Sequence, residues 1–135
     1  MIRPRSEIDF SSLINQKVKE INRMYPIVIF DNGHLTIECP WRLRVDNRII
    51  VGEPETQIED KKEGAYREFE KNLINNSISE VIHFEDISDL IIKFENGCIL
   101  EIFHDSSWYE GWQLQGPDGF LVVSTPGGKY SFFKS

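Results

Sequence analysis

Residues 104–120, HDSSWYEGWQLQGPDGF, bring together side chains that can do chemistry: His104, Asp105, two serines, Tyr109 and Glu110, set between Trp108 and Trp112. No catalytic set is complete. His104 and Asp105 are neighbours at the end of a strand, so their side chains diverge, whereas a His–Asp relay needs them facing each other. Asp105-Ser106-Ser107 is better suited to a loop that bonds its own backbone. Strand alternation over 108–114 puts Trp108, Glu110, Trp112 and Leu114 on one side, which makes Glu110 the odd member of an apolar face. Three explanations stay open: a bulge at Gly111 that turns Glu110 outward, burial against an arginine or backbone N–H groups, or a site carboxyl with a raised pKa. His34 sits in a turn and His83 in a strand run, and no spacing makes three or four ligands converge as a metal would require. Gly127-Gly128 lacks the Lys-Ser/Thr and helix of a phosphate loop. Arg42 and Arg44 share one side of a strand, a weak anion site whose guanidinium groups have surplus carboxylates to pair with. No catalytic residue, metal or cofactor is expected, and the stretch reads as a sheet brace with aromatics in the core and acids at the rim. An exposed Trp or Tyr there would instead be a binding hot spot.

The elements that must position these residues repeat. YPIVIFDNGHLTIECPWRL resembles SDLIIKFENGCILEIFHDSSW: Phe30-Asp31-Asn32-Gly33 matches Phe94-Glu95-Asn96-Gly97, Leu35 and Ile37 match Leu100 and Ile102, and Trp41 falls near Trp108. Asn-Gly between β-rich runs predicts type I′ hairpins, in which both central residues take positive φ. The expected hairpins join 26–31 to 34–45 and 89–95 to 98–104. An extended run precedes each, QKVKEINRMY and ISEVIHFEDI, with a helix over 13–24 as the rival for the first. Each half is then a three-stranded meander, over 17–45 and 78–104. Between them a polar loop containing Pro54 leads to Tyr66, Phe69 and Leu73 at helical spacing, an amphipathic helix over 63–75. GPDG and TPGGK predict tight turns between strands in the tail, the second of type II with Pro126 before Gly127. The fold class is mainly β (α+β): two repeated antiparallel meanders and one connecting helix, sandwich- or barrel-like, in a single domain over 1–135.

Composition narrows the function classes. Hydrophobic residues at 40% and charged residues at 27% describe a globular chain. No apolar run approaches the ~20 residues of a membrane helix, and the N-terminus lacks the apolar core of a secretory signal; the expectation is a cytoplasmic protein without a membrane partner. Cys39 and Cys98 form no Cys-x-x-Cys pair and read as free thiols. The net charge of −7 disfavours nucleic acid as a partner. The excess is uneven: residues 78–135 hold nine acids against three lysines, a balance of −6. A basic partner docking on the second half would exploit it.

The order of motifs, ending in YEGWQLQGPDGFLVV and TPGGKYSFF, resembles a family of small bacterial single-domain proteins of unassigned function, over roughly residues 13 to 134. Its pattern combines an F-x-(D/N)-G hairpin, a (P/F)-(W/F)-R-L strand and a Y-E-x-W-x-L-x-G-P-x-G…P-G-G ending; the HDSSW loop is a local departure. The resemblance extends to small acidic immunity proteins of bacterial toxin systems, including contact-dependent inhibition, and implies a non-enzymatic role. The leading expectation is an immunity protein that binds and neutralises a cognate, basic, nuclease-type toxin domain, with Asp105, Trp108, Tyr109, Glu110 and Asp118 as partner-binding residues. The alternative is a small-molecule or nucleotide-binding module with a pocket between the meanders, where Arg42 and Arg44 would serve. A hydrolase built on Glu110 and His104 comes third.

Overall fold

In a computed structural model that describes residues 2–134, two antiparallel sheets and one helix enclose a common apolar core. In chain order the elements are β1 (Val18–Asn22), β2 (Ile27–Phe30), β3 (Gly33–Ile37), β4 (Trp41–Val45), β5 (Arg48–Gly52), α1 (Lys62–Leu73), β6 (Ile78–His83), β7 (Leu90–Phe94), β8 (Cys98–Ile102), β9 (Trp112–Gln115), β10 (Leu121–Thr125) and β11 (Lys129–Phe133). One sheet runs β1-β2-β3-β9-β10-β11, the other β5-β4-β8-β7-β6. The sheets are not closed into a barrel. Alternation fills the core from both: Val28, Leu35, Leu114 and Val122 from the first, Leu43, Ile92, Leu100 and Ile102 from the second. Helix α1 packs on β5 and β1, and its Phe69 ring lies 4.5 Å from that of Trp41. No described helix is long and apolar enough to cross a membrane.

The repeat is carried out by exchange. Each meander, β1-β2-β3 and β6-β7-β8, is continued by a strand that leaves for the other sheet. Thus β4 pairs with β8, joining Trp41 to Ile102 and Leu43 to Leu100, while β9 pairs with β3, joining Trp112 to Ile37 and Leu114 to Leu35. The hydrogen bonds at the two crossings correspond one to one: Glu38 N–H donates to the Gly111 carbonyl at 2.8 Å and Phe103 N–H to the Pro40 carbonyl at 2.9 Å. The meander starts correspond too. Asn15 and Asn75 both take the left-handed conformation, at φ 73 and 72. Asn15 N–H donates to the Ile78 carbonyl and Asn75 N–H to the Val18 carbonyl, each at 2.8 Å. Each first strand then carries an irregularity at one place, between Val18 and Glu20 and between Ile78 and Glu80.

Several sequence expectations are corrected. The hairpins exist, but not as type I′ turns. Phe30 pairs with Gly33, so Asp31 and Asn32 are the central residues, and neither asparagine has positive φ. Positive φ falls one residue later, at Gly33 (140) and Gly97 (90), the pattern of a type I turn followed by a glycine bulge. At Gly33 a Cβ would also lie 2.1 Å from the Gln115 carbonyl oxygen, so β9 could not close on β3. Residues 34–45 are not one strand: Glu38–Pro40 breaks it where the chain changes sheets, and Pro40 has no N–H to continue a ladder. The counterpart of Trp41 is Trp112, not Trp108, as the pairing shows. Strand β5 precedes the connector, the polar loop holds a 3₁₀ turn at Glu53–Gln57, and the helix follows at 62–73 rather than 63–75. The strand expected in the first extended run is present at Val18–Asn22, and the rival helix over 13–24 is not; a 3₁₀ turn over Ser11–Leu13 precedes the strand.

Candidate functional site: an acidic groove where the chain crosses between sheets

The two crossing segments, 38–40 and 103–111, lie side by side, and their hydrogen bonds hold a groove open between them. Two adjoining hollows form it. One, of about 450 Å³, is lined by Glu38, Cys39, His104–Ser106 and Tyr109–Gly111. The other, of about 440 Å³, is lined by Tyr25, Glu38–Pro40, Glu53, Gln57 and Asp105. Glu38, Glu53, Asp105 and Glu110 line the pair, and no lysine or arginine does among the described residues. The Cys39 thiol at its floor reports the resulting field: burial, then the charges of Asp105, Asp89, Glu38 and Glu53, push its pKa up to about 12. A thiol so protonated is a poor nucleophile.

The opening stretch divides at Gly111. Strand β9 begins only at Trp112, so 105–110 is a loop and the expected alternation across it does not exist. Trp112 is 2% exposed and its Nε1–H donates to the Ser88 carbonyl at 2.8 Å. Trp108 and Tyr109 stand out at 79% and 70% exposed, and Glu110 is exposed beside them. Of the three explanations for Glu110, the outward one describes it, through a loop rather than a bulge within a strand. The loop is clamped. The Ser106 hydroxyl oxygen accepts Trp108 N–H at 3.0 Å and Tyr109 N–H at 2.8 Å. The Ser106 carbonyl accepts Gly127 N–H at 2.9 Å and the His104 ring at 2.9 Å.

His104 is a buried strut of this loop. Ser124 Oγ accepts N–H from Gly111 at 3.1 Å and Trp112 at 3.0 Å, which leaves its O–H for His104 Nδ1 at 2.7 Å. The Nε2–H of the same ring then donates to Ser106. A Cβ on Gly111 would meet Ser124 Oγ at 2.7 Å and His104 Nδ1 at 2.8 Å, so only glycine fits here. With Ser124 fully buried and every polar atom of the pair engaged, His104–Ser124 braces the loop and offers neither a free base nor a reachable hydroxyl.

Of the residues the sequence singled out, Asp105, Tyr109 and Glu110 line the groove, and Trp108 projects from the same loop. Asp118 does not join them: it sits in the turn at the opposite end of β9, at φ 56. Arg42 and Arg44 also lie elsewhere. Both direct Nε to Glu101 Oε1 at 2.7 Å across β4 and β8. Burial alone would raise the Glu101 pKa, but these two hydrogen bonds outweigh it and hold it low. Glu38, Cys39, Glu53 and Tyr25 escaped sequence reasoning. The one available signal was Pro40, a ladder breaker two residues after Glu38 inside an otherwise regular strand pattern. Tyr25, 55% exposed, reaches the groove from the β1–β2 turn at φ 102.

Fold and groove together describe a two-sheet β protein with an acidic, aromatic-rimmed cleft at the point where its halves exchange strands. The chain belongs to the family of unknown function DUF6188, which matches residues 11–134. No curated protein and no solved structure matches it, and the comparisons lend no support to a kinship with immunity proteins.

Proposed function

We propose that the protein is a binding protein that captures a basic partner protein in the acidic groove, and in its most concrete form an immunity protein that neutralises a toxin domain. One observation carries this reading: solvent-exposed Tyr25 and Tyr109 line a groove with four carboxylates, and exposed Trp108 projects from the same loop as Tyr109. Exposed aromatics on a hydrogen-bonded loop lose little conformational freedom when covered, and such side chains dominate binding energies. The surrounding carboxylates speed the approach of a basic surface and reject an acidic one. A nuclease-type toxin, basic because it binds phosphates, fits that chemistry.

The volume of the hollows supports a second reading, a small-molecule site, since each falls within the ~300–1,000 Å³ of ligand pockets. Its ligand would be cationic. A nucleotide phosphate would meet carboxylates there, while Arg42 and Arg44 are engaged with Glu101 on another part of the molecule.

The direct test is co-expression with any basic toxin domain that a neighbouring gene encodes. Growth rescue and co-elution on gel filtration support the reading; cell death at the unprotected rate with no complex overturns it. On a measured complex, reversing Asp105 and Glu110 to lysine should slow association about tenfold or more at low salt. Asp118→Lys, at the far end of β9, should change the association rate much less. Trp108→Ala should mainly speed dissociation, by a cost of about 2 kcal/mol. Equal effects from Asp105 and Asp118 would place the contact away from the groove.

A further inference from the structure

The two sheets have four outer strands, and three of them meet a further segment of the chain. Residues 4–6 bond the far end of β6 and the residues just past it, with Ser6 N–H on the His83 carbonyl at 2.8 Å and Glu85 N–H on the Pro4 carbonyl at 3.1 Å. Helix α1 packs against both β5 and β1. Strand β11 has no such helix: its hydrogen-bonded neighbour is β10, and among the described residues, as for β5, no other segment bonds its backbone. It also shows apolar surface, with Phe132 39% and Phe133 56% exposed. An outer strand with a free row of N–H and C=O groups and exposed aromatics is a template for a further strand.

We propose that β11 pairs antiparallel with β11 of a second copy of this chain, joining two six-stranded sheets across a two-fold axis. The strand Lys129-Tyr130-Ser131-Phe132-Phe133 is complementary to itself in the register centred on Ser131. Tyr130 then lies opposite Phe132 of the second copy, an aromatic cross-strand pair, and Lys129 lies opposite Phe133. Lys134 falls opposite Gly128, so no two like charges meet directly. The seam is also the one basic stretch of an acidic half: Lys129 and Lys134 are two of the three bases in residues 78–135. Two chains of charge −7 therefore approach along the stretch where their repulsion is least, and salt screens the remainder. An isologous pairing closes on itself and stops at two copies. A five-residue seam is smaller than a standard interface, so the dimer should be weak, with Kd on the order of 10–100 µM. The Thr125–Gly128 turns, which adjoin Ser106 and the groove, would point away from each other and leave both grooves open.

Sedimentation equilibrium of the full chain over a concentration series tests this. The mass should rise from 15.8 kDa to twice that value and no further. Phe133→Lys sets a lysine opposite Lys129 of the second copy and should weaken the dimer at least tenfold, with thermal melting showing that the fold persists. Adding Lys129→Glu to that variant restores an opposite-charge pair and should recover dimerisation, which a contact elsewhere would not do. A monomeric mass at all concentrations, a dimer indifferent to Phe133→Lys, or growth past two copies would each overturn the proposal. So would a monomer whose β11 instead takes up an added acidic strand peptide.

Discussion

His83 shows how far a single residue can control this molecule. It is buried in the core with Nδ1 2.8 Å from Ser6 Oγ and Nε2 2.7 Å from Ser88 Oγ, and Trp112 and Tyr130 pack edge-on to its ring. Burial lowers its pKa from 6.5 to about 4. The folded protein therefore keeps the ring neutral while an unfolded chain protonates it near 6.5. Its contribution is complete above that pH and is lost as the pH falls toward 4, by about 3 kcal/mol over the whole window. Urea unfolding between pH 7.5 and 4 should show stability declining from about pH 6.5, above the range where carboxylates begin to protonate. His83→Gln should remove that early decline; an unchanged slope between pH 6.5 and 5 would show that the ring is not held neutral. The sequence placed His83 in a strand run but could not supply its partners, because Ser6 and Ser88 reach it from different segments.

The loop 104–111 is the element on which the binding surface depends. Its rigidity comes from Ser106, whose hydroxyl and carbonyl take four hydrogen bonds. Ser106→Ala removes the two held by the hydroxyl. The freed N–H groups of Trp108 and Tyr109 can turn to water, so the fold should lose only about 1 kcal/mol. Local order should suffer more: amide exchange over 105–110 should quicken well beyond what the small drop in thermal midpoint accounts for, and exchange that stays unchanged would mean the clamp lies elsewhere. The sequence foresaw a loop at Asp105-Ser106-Ser107 from their habit of bonding nearby backbone, and that habit is what Ser106 displays. It misplaced the strand that follows because Trp108, Glu110 and Trp112 mimic period 2, while the true boundary is set by Gly111 fitting against His104 and Ser124. The same limit explains the hairpins. Asn-Gly located both turns, but Asp31 and Glu95 occupy the first central position, which shifts the glycine into the bulge.

At the scale of the whole molecule, the repeat of Phe-x-Asn-Gly was legible and the pairing between halves was not. Local alternation says that Leu35 and Leu100 face a core; it cannot say that Leu114 and Leu43, each from the other half, will lie beside them. Those partners are distant in sequence, and only the joint core selects them. Charge was legible as a balance but not as a place, for Glu38 and Glu53 come from the half that looked neutral. The exchange of β4 and β9 has a consequence for how the chain can be taken apart. Neither half owns a complete sheet, so each is the template on which the other finishes, and folding must wait for contacts of long sequence separation. A protease site inserted between Glu59 and Asp60, in the exposed stretch before α1, would separate the halves covalently and leave them interlocked. The two pieces should co-elute as one particle in native buffer, part only in denaturant, and regain the native spectrum when mixed and diluted together but not alone. Pieces that drift apart without denaturant would mean that each half had, after all, found a core of its own.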